Sequence, residues 1–267
     1  MEDILEKFKI LGLKPTLDLN KIKKNYYNKM KVFHPDKGGS ETECKRIIDA
    51  YNFIIEYINT GNIQYLLDYF FSEISKFYNK KAYTKSYEII ESIEPYLSEQ
   101  LNILIIASMV CYKLKNYEKA VEISKKGLEK FPNSITLYNN IAWFLGVGLQ
   151  DYNNAFYYAN RGLELDNHNP VLLDTIAYLY FLIDQFDKAL FYAKKSLEIK
   201  PDLPYSLFIL ANFYFRYYNN IQIAFSLIKK AIYFEKDEEE REIFIDFLEE
   251  LKLFKNDIVK KNIFPEI

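Results

Sequence analysis

The residues best equipped for chemistry lie between Lys21 and Ser40, KIKKNYYNKMKVFHPDKGGS. His34, Pro35 and Asp36 set an imidazole and a carboxylate on either side of a ring that cannot continue a helix. Pro35 has no amide hydrogen and biases His34 away from the helical region. Gly38 and Gly39 then free the backbone to turn back. Upstream, Lys21, Lys24, Asn28 and Lys31 recur at helical spacing, so three ammonium groups line one solvated face. Ile22, Tyr26, Met30 and Phe33 follow the same period on a different face and would meet a helical partner. A basic helix face ending in a rigid, exposed, polar turn suits docking to an acidic surface. The plainer reading of His34 is an imidazole that hydrogen-bonds its own backbone within the turn.

Nothing else in the chain reads as an active site. Of two histidines, the second, His168, falls in the turn LDNHNP. No HExxH, CxxC, phosphate-binding loop or nucleophile elbow occurs, and the carboxylates are scattered along helix faces. Cys44 and Cys111 sit in apolar helical patterns, as reduced buried thiols do, and not as a disulfide or metal pair. No catalysis and no cofactor are expected. The formal net charge of −2 exerts no pull toward nucleic acid or membrane. The 24 tyrosines and 21 phenylalanines could stack on single-stranded nucleic acid, but they fall at helical spacing, away from clusters of Lys or Arg. They are expected between helices. Glu2, Asp3, Glu6 and Lys7 interrupt any N-terminal apolar run, and no stretch reaches the roughly 20 apolar residues of a membrane span. The expectation is a cytoplasmic protein with neither nucleic-acid nor membrane partners.

The elements that must position the loop are short. Ile4, Leu5, Phe8 and Leu11 make one face of a first helix that Gly12 ends, and Thr16 or Asp18 can cap the next. After the loop, Cys44, Ile47, Tyr51, Ile54 and Ile58 predict a helix lying antiparallel on its predecessor. Asn59-Thr60-Gly61-Asn62 reads as a stop. Residues 1–62 thereby resemble the J-domain of DnaJ-type co-chaperones. The resemblance rests on His34-Pro35-Asp36, on IKKNYYNKMKVF, similar to that family's helix II, and on Cys44, Ile47, Ala50, Tyr51 and Ile54, similar to helix III. It implies a DnaK-class heat-shock chaperone as partner. Lys21, Lys24 and Lys31 would dock on it, and His34, Pro35 and Asp36 would trigger its ATP hydrolysis. Two departures stand out: Asn28 occupies a place where the family usually has Arg or Lys, and no basic fourth helix follows Ile58.

The rest of the chain repeats. Ala120, Ala155, Ala189 and Ala224 are spaced 35, 34 and 35, and Ser108, Ala142, Ala177 and Ala211 are spaced 34, 35 and 34. Gly127, Gly162, Ser196 and Ala231 keep the interval, as do the bulky Tyr117, Tyr152, Phe186 and Ile221. Small residues let paired helices approach, and bulky ones fill the space beside them. A unit of this length resembles the tetratricopeptide (TPR) repeat, with closing prolines at Pro132 and Pro201. One-residue insertions in two units suggest lengthened inter-helix turns. Residues 63–100 read as a degenerate first unit, with Ser86 one period before Ala120. Residues 101–236 form four repeats, and 237–267 a capping helix and tail. In the cap, Ile243, Phe244, Phe247, Leu248, Leu251 and Phe254 share an apolar face.

The expected fold is therefore all-α: an N-terminal J-domain helical hairpin, then a TPR-type α-solenoid with a C-terminal capping helix. A TPR carboxylate clamp is not expected, because Ile105, Met109, Val171 and Thr175 stand at four of its five positions and only Asn140 matches. The solenoid would instead offer a concave, aromatic-rich face to a client or partner protein. The second reading is a TPR scaffold whose J-like module is an adaptor without ATPase stimulation.

Overall fold

The computed structural model describes residues 4–61 and 63–263, with side chains through Lys255. Glu2, Asp3, Asn62 and the tail beyond Ile263 lie outside the described residues. Regular structure among the described residues is entirely helical, and the chain forms two compact units, Met1–Lys130 and Phe131–Ile267.

The first unit opens with α1 (Ile4–Ile10), α2 (Leu19–Phe33) and α3 (Glu41–Asn59). Ile4, Phe8 and Leu11 are buried, and Gly12 leaves α1 in the left-handed region at φ +69°. Both expected caps contribute. Thr16 Oγ1 accepts the N–H of Asp18 at 3.2 Å, and Asp18 in turn caps α2 by accepting the N–H of Lys21 at 3.0 Å. Ser40 caps α3 in the same way through the N–H of Glu43. The α2 stripe meets α3 as its spacing requires. Ile22 is fully buried, and Tyr26 stacks on Tyr51 at 4.2 Å. Cys44, Ile47, Ala50, Ile54 and Ile58 line the facing side of α3. Each buried isoleucine contributes roughly 1.5–3 kcal/mol, so a few such contacts hold this small hairpin.

Two helix pairs complete the unit: α4 (Gln64–Asn79) with α5 (Tyr83–Ser92), and α6 (Leu101–Lys113) with α7 (Tyr117–Lys130). Ser86 is wholly buried where α5 crosses α4, and its hydroxyl donates to the Ile74 carbonyl at 3.1 Å. Both cysteines are free and buried, and burial pushes the Cys111 thiol up to about 11.

The second unit stacks α8 (Ile135–Trp143), α9 (Tyr152–Leu165), α10 (Pro170–Leu182), α11 (Phe186–Ile199), α12 (Pro204–Tyr218), α13 (Ile221–Phe234) and α14 (Glu238–Ile263). The periodic small residues of this unit, Ala142, Ala155, Ala177, Ala189, Ala211, Ala224 and Ala231, are all fully buried. The bulky register opens the second helix of each pair: Tyr117, Tyr152, Phe186 and Ile221 are the first residues of α7, α9, α11 and α13.

A further register joins them. Lys81, Lys115, Gln150, Asp184 and Asn219 all have φ between +50° and +59°, one in the turn within each helix pair from α4–α5 to α12–α13. The α4–α5 turn shares this conformation with the turns of the later helix pairs. The recurrence also locates the insertions. In three turns the next N–H reaches five residues back: Ala82 to Phe77, Asn116 to Cys111 and Gln185 to Tyr180. In the two units with an extra residue it reaches six back, Asp151 to Leu145 and Asn220 to Tyr214. The extra residue is thus absorbed in the last turn of the first helix, as a π-helical segment over Phe144–Gly148 in one case. The turns themselves are not lengthened, which corrects the reading from spacing alone.

Within the second unit, polar bonds tie each first helix to the next. Thr175 Oγ1 donates to Asn139 Oδ1 at 2.8 Å, the Ser206 N–H to Asp174 Oδ1 at 2.7 Å, and the Tyr205 hydroxyl to Glu240 Oε2 at 2.6 Å. Beside them, Trp143, Tyr178, Tyr205 and Phe244 form a run of touching rings from α8 through α10 and α12 to α14. These rings fill helix–helix contacts, whereas Tyr157, Phe191, Tyr217, Tyr218 and Tyr233 of the same unit are exposed. In α14, Phe244, Phe247 and Leu251 are buried with Phe208, Ile228 and Ala231, while Phe254 is 39% exposed and meets the edge of Phe215. The helix therefore takes the place that another repeat's first helix would occupy.

Candidate functional site

The loop that α2 and α3 present is built from its own backbone. His34 is extended at φ −66°, ψ 133°, and Pro35–Lys37 form one 3₁₀ turn. The His34 carbonyl accepts from the N–H groups of Lys37 at 3.0 Å and Gly39 at 3.1 Å. Gly38 is left-handed at φ +82°, and a Cβ on Gly39 would lie 2.2 Å from the Phe33 carbonyl oxygen. The two glycines thus serve different needs: the first a conformation, the second a close approach.

His34 Nδ1 accepts the N–H of Asp36 at 3.2 Å, which caps the turn and leaves Nε2 as the ring's N–H donor. The local backbone bond of the plainer reading is therefore present. It does not sequester the groups, because the side chains of His34 and Asp36 are 44% and 87% exposed. The loop holds an imidazole donor, a rigid ring and a carboxylate acceptor at the surface in a fixed order. With the N–H groups of Asp36, Lys37, Gly38 and Gly39 met internally, it can spend those side chains on a partner.

Lys21, Lys24, Asn28 and Lys31 are all exposed. At about 100° per residue they span roughly 80° of the helix circumference, opposite the stripe from Ile22 to Phe33. Lys24 and Lys31 make no ion pair among the described residues and stand open to a partner. Lys21 sits about 15 Å from Lys31 along the axis, in a hollow with Lys14 and with Tyr69, Glu73 and Glu88 of α4 and α5. Lys31 thus lies within one turn of His34, with Lys24 about 10 Å and Lys21 about 15 Å from Lys31 along the axis.

Sequence reasoning passed over two residues of this face. Tyr27 is 53% and Val32 65% exposed, and their helical positions flank the lysines. The signal was available in the spacing, since neither falls on the buried stripe, but an apolar residue in a hairpin this small is easily assigned to its core.

Residues 6–57 match the family model of the DnaJ domain, and residues 172–203 match that of a tetratricopeptide repeat. No curated protein matches the chain. Among solved structures, a thermophilic TPR protein of Thermus thermophilus superposes with a TM-score of 0.55 at 15% identity, covering 67% of this chain and 97% of that one. PilW, a type IV pilus biogenesis factor, also gives 0.55, at 18% identity, covering 75% of this chain and 94% of its own. These likenesses are of fold. No described helix is long and apolar enough to cross a membrane. The chain joins a DnaJ domain to tetratricopeptide repeats.

Proposed function

We propose that this chain is a co-chaperone: its J-domain stimulates ATP hydrolysis by a DnaK-class heat-shock chaperone, and its repeats hold a client or partner protein. The observation that carries the reading is the intact His34-Pro35-Asp36 loop, exposed and fixed in shape, at the end of an open basic helix face. The chain itself supplies no reacting group in this scheme. Lys24 and Lys31 steer and dock, an attraction that weakens as salt screens it. Asp36 offers a carboxylate for a charge-assisted bond to a partner arginine, and the His34 Nε2–H supplies a second directed contact. Pro35 holds both in register. Chaperone and client meet in the cytoplasm on this reading.

The test is single-turnover ATP hydrolysis by a DnaK-class chaperone, with the full chain and with its His34→Gln variant. Stimulation by the first that is lost in the second supports the reading. A folded wild-type chain that gives no stimulation rejects it. The chain would then be a repeat scaffold with an adaptor J-module, a reading that Asn28 on the docking face favours.

A further inference from the structure

We propose that a hollow beside the last turns of α12 binds a peptide segment carrying one bulky apolar side chain next to one carboxylate. The inference rests on the reading that the repeats bind a protein partner, and it specifies what they recognise. Phe181, Phe186, Leu190, Ile209 and Phe213 wall the hollow, which has a volume of about 130 Å³. An apolar cavity of about 150 Å³ holds a benzene ring. The space therefore takes one aromatic or branched aliphatic side chain.

Two polar groups fix what accompanies that side chain. Asn212 lines the hollow and is only 4% exposed. Its amide nitrogen donates to the Phe208 carbonyl at 3.1 Å, which sets the amide's orientation and leaves its oxygen as an acceptor without a hydrogen-bond donor among the described residues. A peptide N–H satisfies it. Arg216, exposed at the rim, makes no ion pair among the described residues, so its guanidinium offers two parallel donors to a carboxylate. A polyanion fits poorly. Asp184 and Asp187 outnumber Lys188 in an adjoining hollow across Tyr217, and the net negative charge there would repel further anionic groups. The complement is a single carboxylate beside an apolar anchor, on an extended backbone.

The experiment uses the full chain and labelled nonapeptides of Gly and Ser with central Phe-Glu, Leu-Glu, Ala-Glu, Phe-Gln or Phe-Lys pairs, read by fluorescence anisotropy. Phe-Glu and Leu-Glu are expected to bind about tenfold more tightly than Ala-Glu or Phe-Gln. Arg216→Glu should invert the preference between Phe-Glu and Phe-Lys without changing thermal unfolding. Leu190→Trp should erase the difference between Phe-Glu and Ala-Glu. Preferences that survive both variants would overturn the hollow as the site while leaving partner binding by the repeats intact. No binding of any peptide by the folded chain would overturn the proposal and remove its support for peptide recognition by the repeats. A dimer in sedimentation that Arg216→Glu dissolves would assign the hollow to a second copy, and so would also overturn it.

Discussion

The α2–α3 loop and the interior of the second unit use polar residues in opposite ways. In the loop, His34 and Asp36 satisfy each other locally and remain exposed, so their chemistry is directed outward. Between α10, α12 and α14, Asp174 and Tyr205 are buried and satisfied by residues 32 and 35 positions away. A local bond survives without its neighbours, whereas a long-range one exists only when the next helix is in place. Polar substitutions in the loop should therefore cost function, and those in the stack should cost stability.

The sharpest way to break this contrast is to find a large stability loss in the loop or a small one in the stack. His34→Gln should abolish ATPase stimulation yet leave the unfolding free energy within about 0.5 kcal/mol, as surface substitutions usually do. Phe244→Ala, by circular dichroism in denaturant, should cost about 3–5 kcal/mol. Phe244 is fully buried against Tyr205 and Phe208, and the end of the stack loses its cover with it.

Asp174 sharpens the comparison through pH. Burial raises its carboxyl pKa to about 7, against the stabilising bonds from Ser206. The unfolded chain ionises this group near pH 4 while the folded chain keeps its proton, so stability is lost as pH rises from about 4 to 7. Asp174→Asn keeps an acceptor for the Ser206 N–H and removes the ionisation. It should flatten that slope and stabilise the protein at pH 8 by about 4 kcal/mol, read from paired melts at pH 4 and pH 8. A slope unchanged in the variant would assign the pH dependence to other carboxyls, among them Glu235, which burial also raises.

The smallest effect is expected at the left-handed turns. Lys115→Gly should be neutral or stabilising within about 1 kcal/mol, and Lys115→Val should destabilise by about 1–2 kcal/mol, because a β-branched side chain is poorly tolerated at positive φ. Melting temperatures of the two variants against the parent measure both. Equal values would show that the φ of +59° does not govern the turn.

Much of this organisation was legible in the residues. The loop could be read because Pro35 and the glycine pair impose their backbone preferences without help from elsewhere. The repeat could be read because close helix contacts demand small side chains at a fixed interval, and Ala120, Ala155, Ala189 and Ala224 meet that demand in plain sight. The left-handed turns were hidden, since Lys81, Lys115, Gln150, Asp184 and Asn219 are of four residue types and none is glycine. The insertions were misplaced for a related reason: an extra residue looks the same in a sequence whether a turn or a helix absorbs it. At the docking face, the lysines announced themselves by charge and period, while Tyr27 and Val32 had only their spacing, off the buried stripe, and no charge to mark them as surface residues.

By itself the sequence determined what depends on local backbone chemistry and on periodicity: an all-helical chain, a rigid His34-Pro35-Asp36 turn after a basic helix, and a helix-pair repeat. Tertiary structure alone decided which polar groups are spent inside and which are left over. Asp174 and Arg216 are both charged residues on first helices of the stack, and nothing in their neighbours along the chain separates them. Asp174 meets Ser206 and is buried, whereas Arg216 meets no carboxylate and remains at the rim of a hollow. The reason is that pairing energy depends on what lies within a few ångströms in space, and that is set by the stacking of helices about 34 residues apart in sequence.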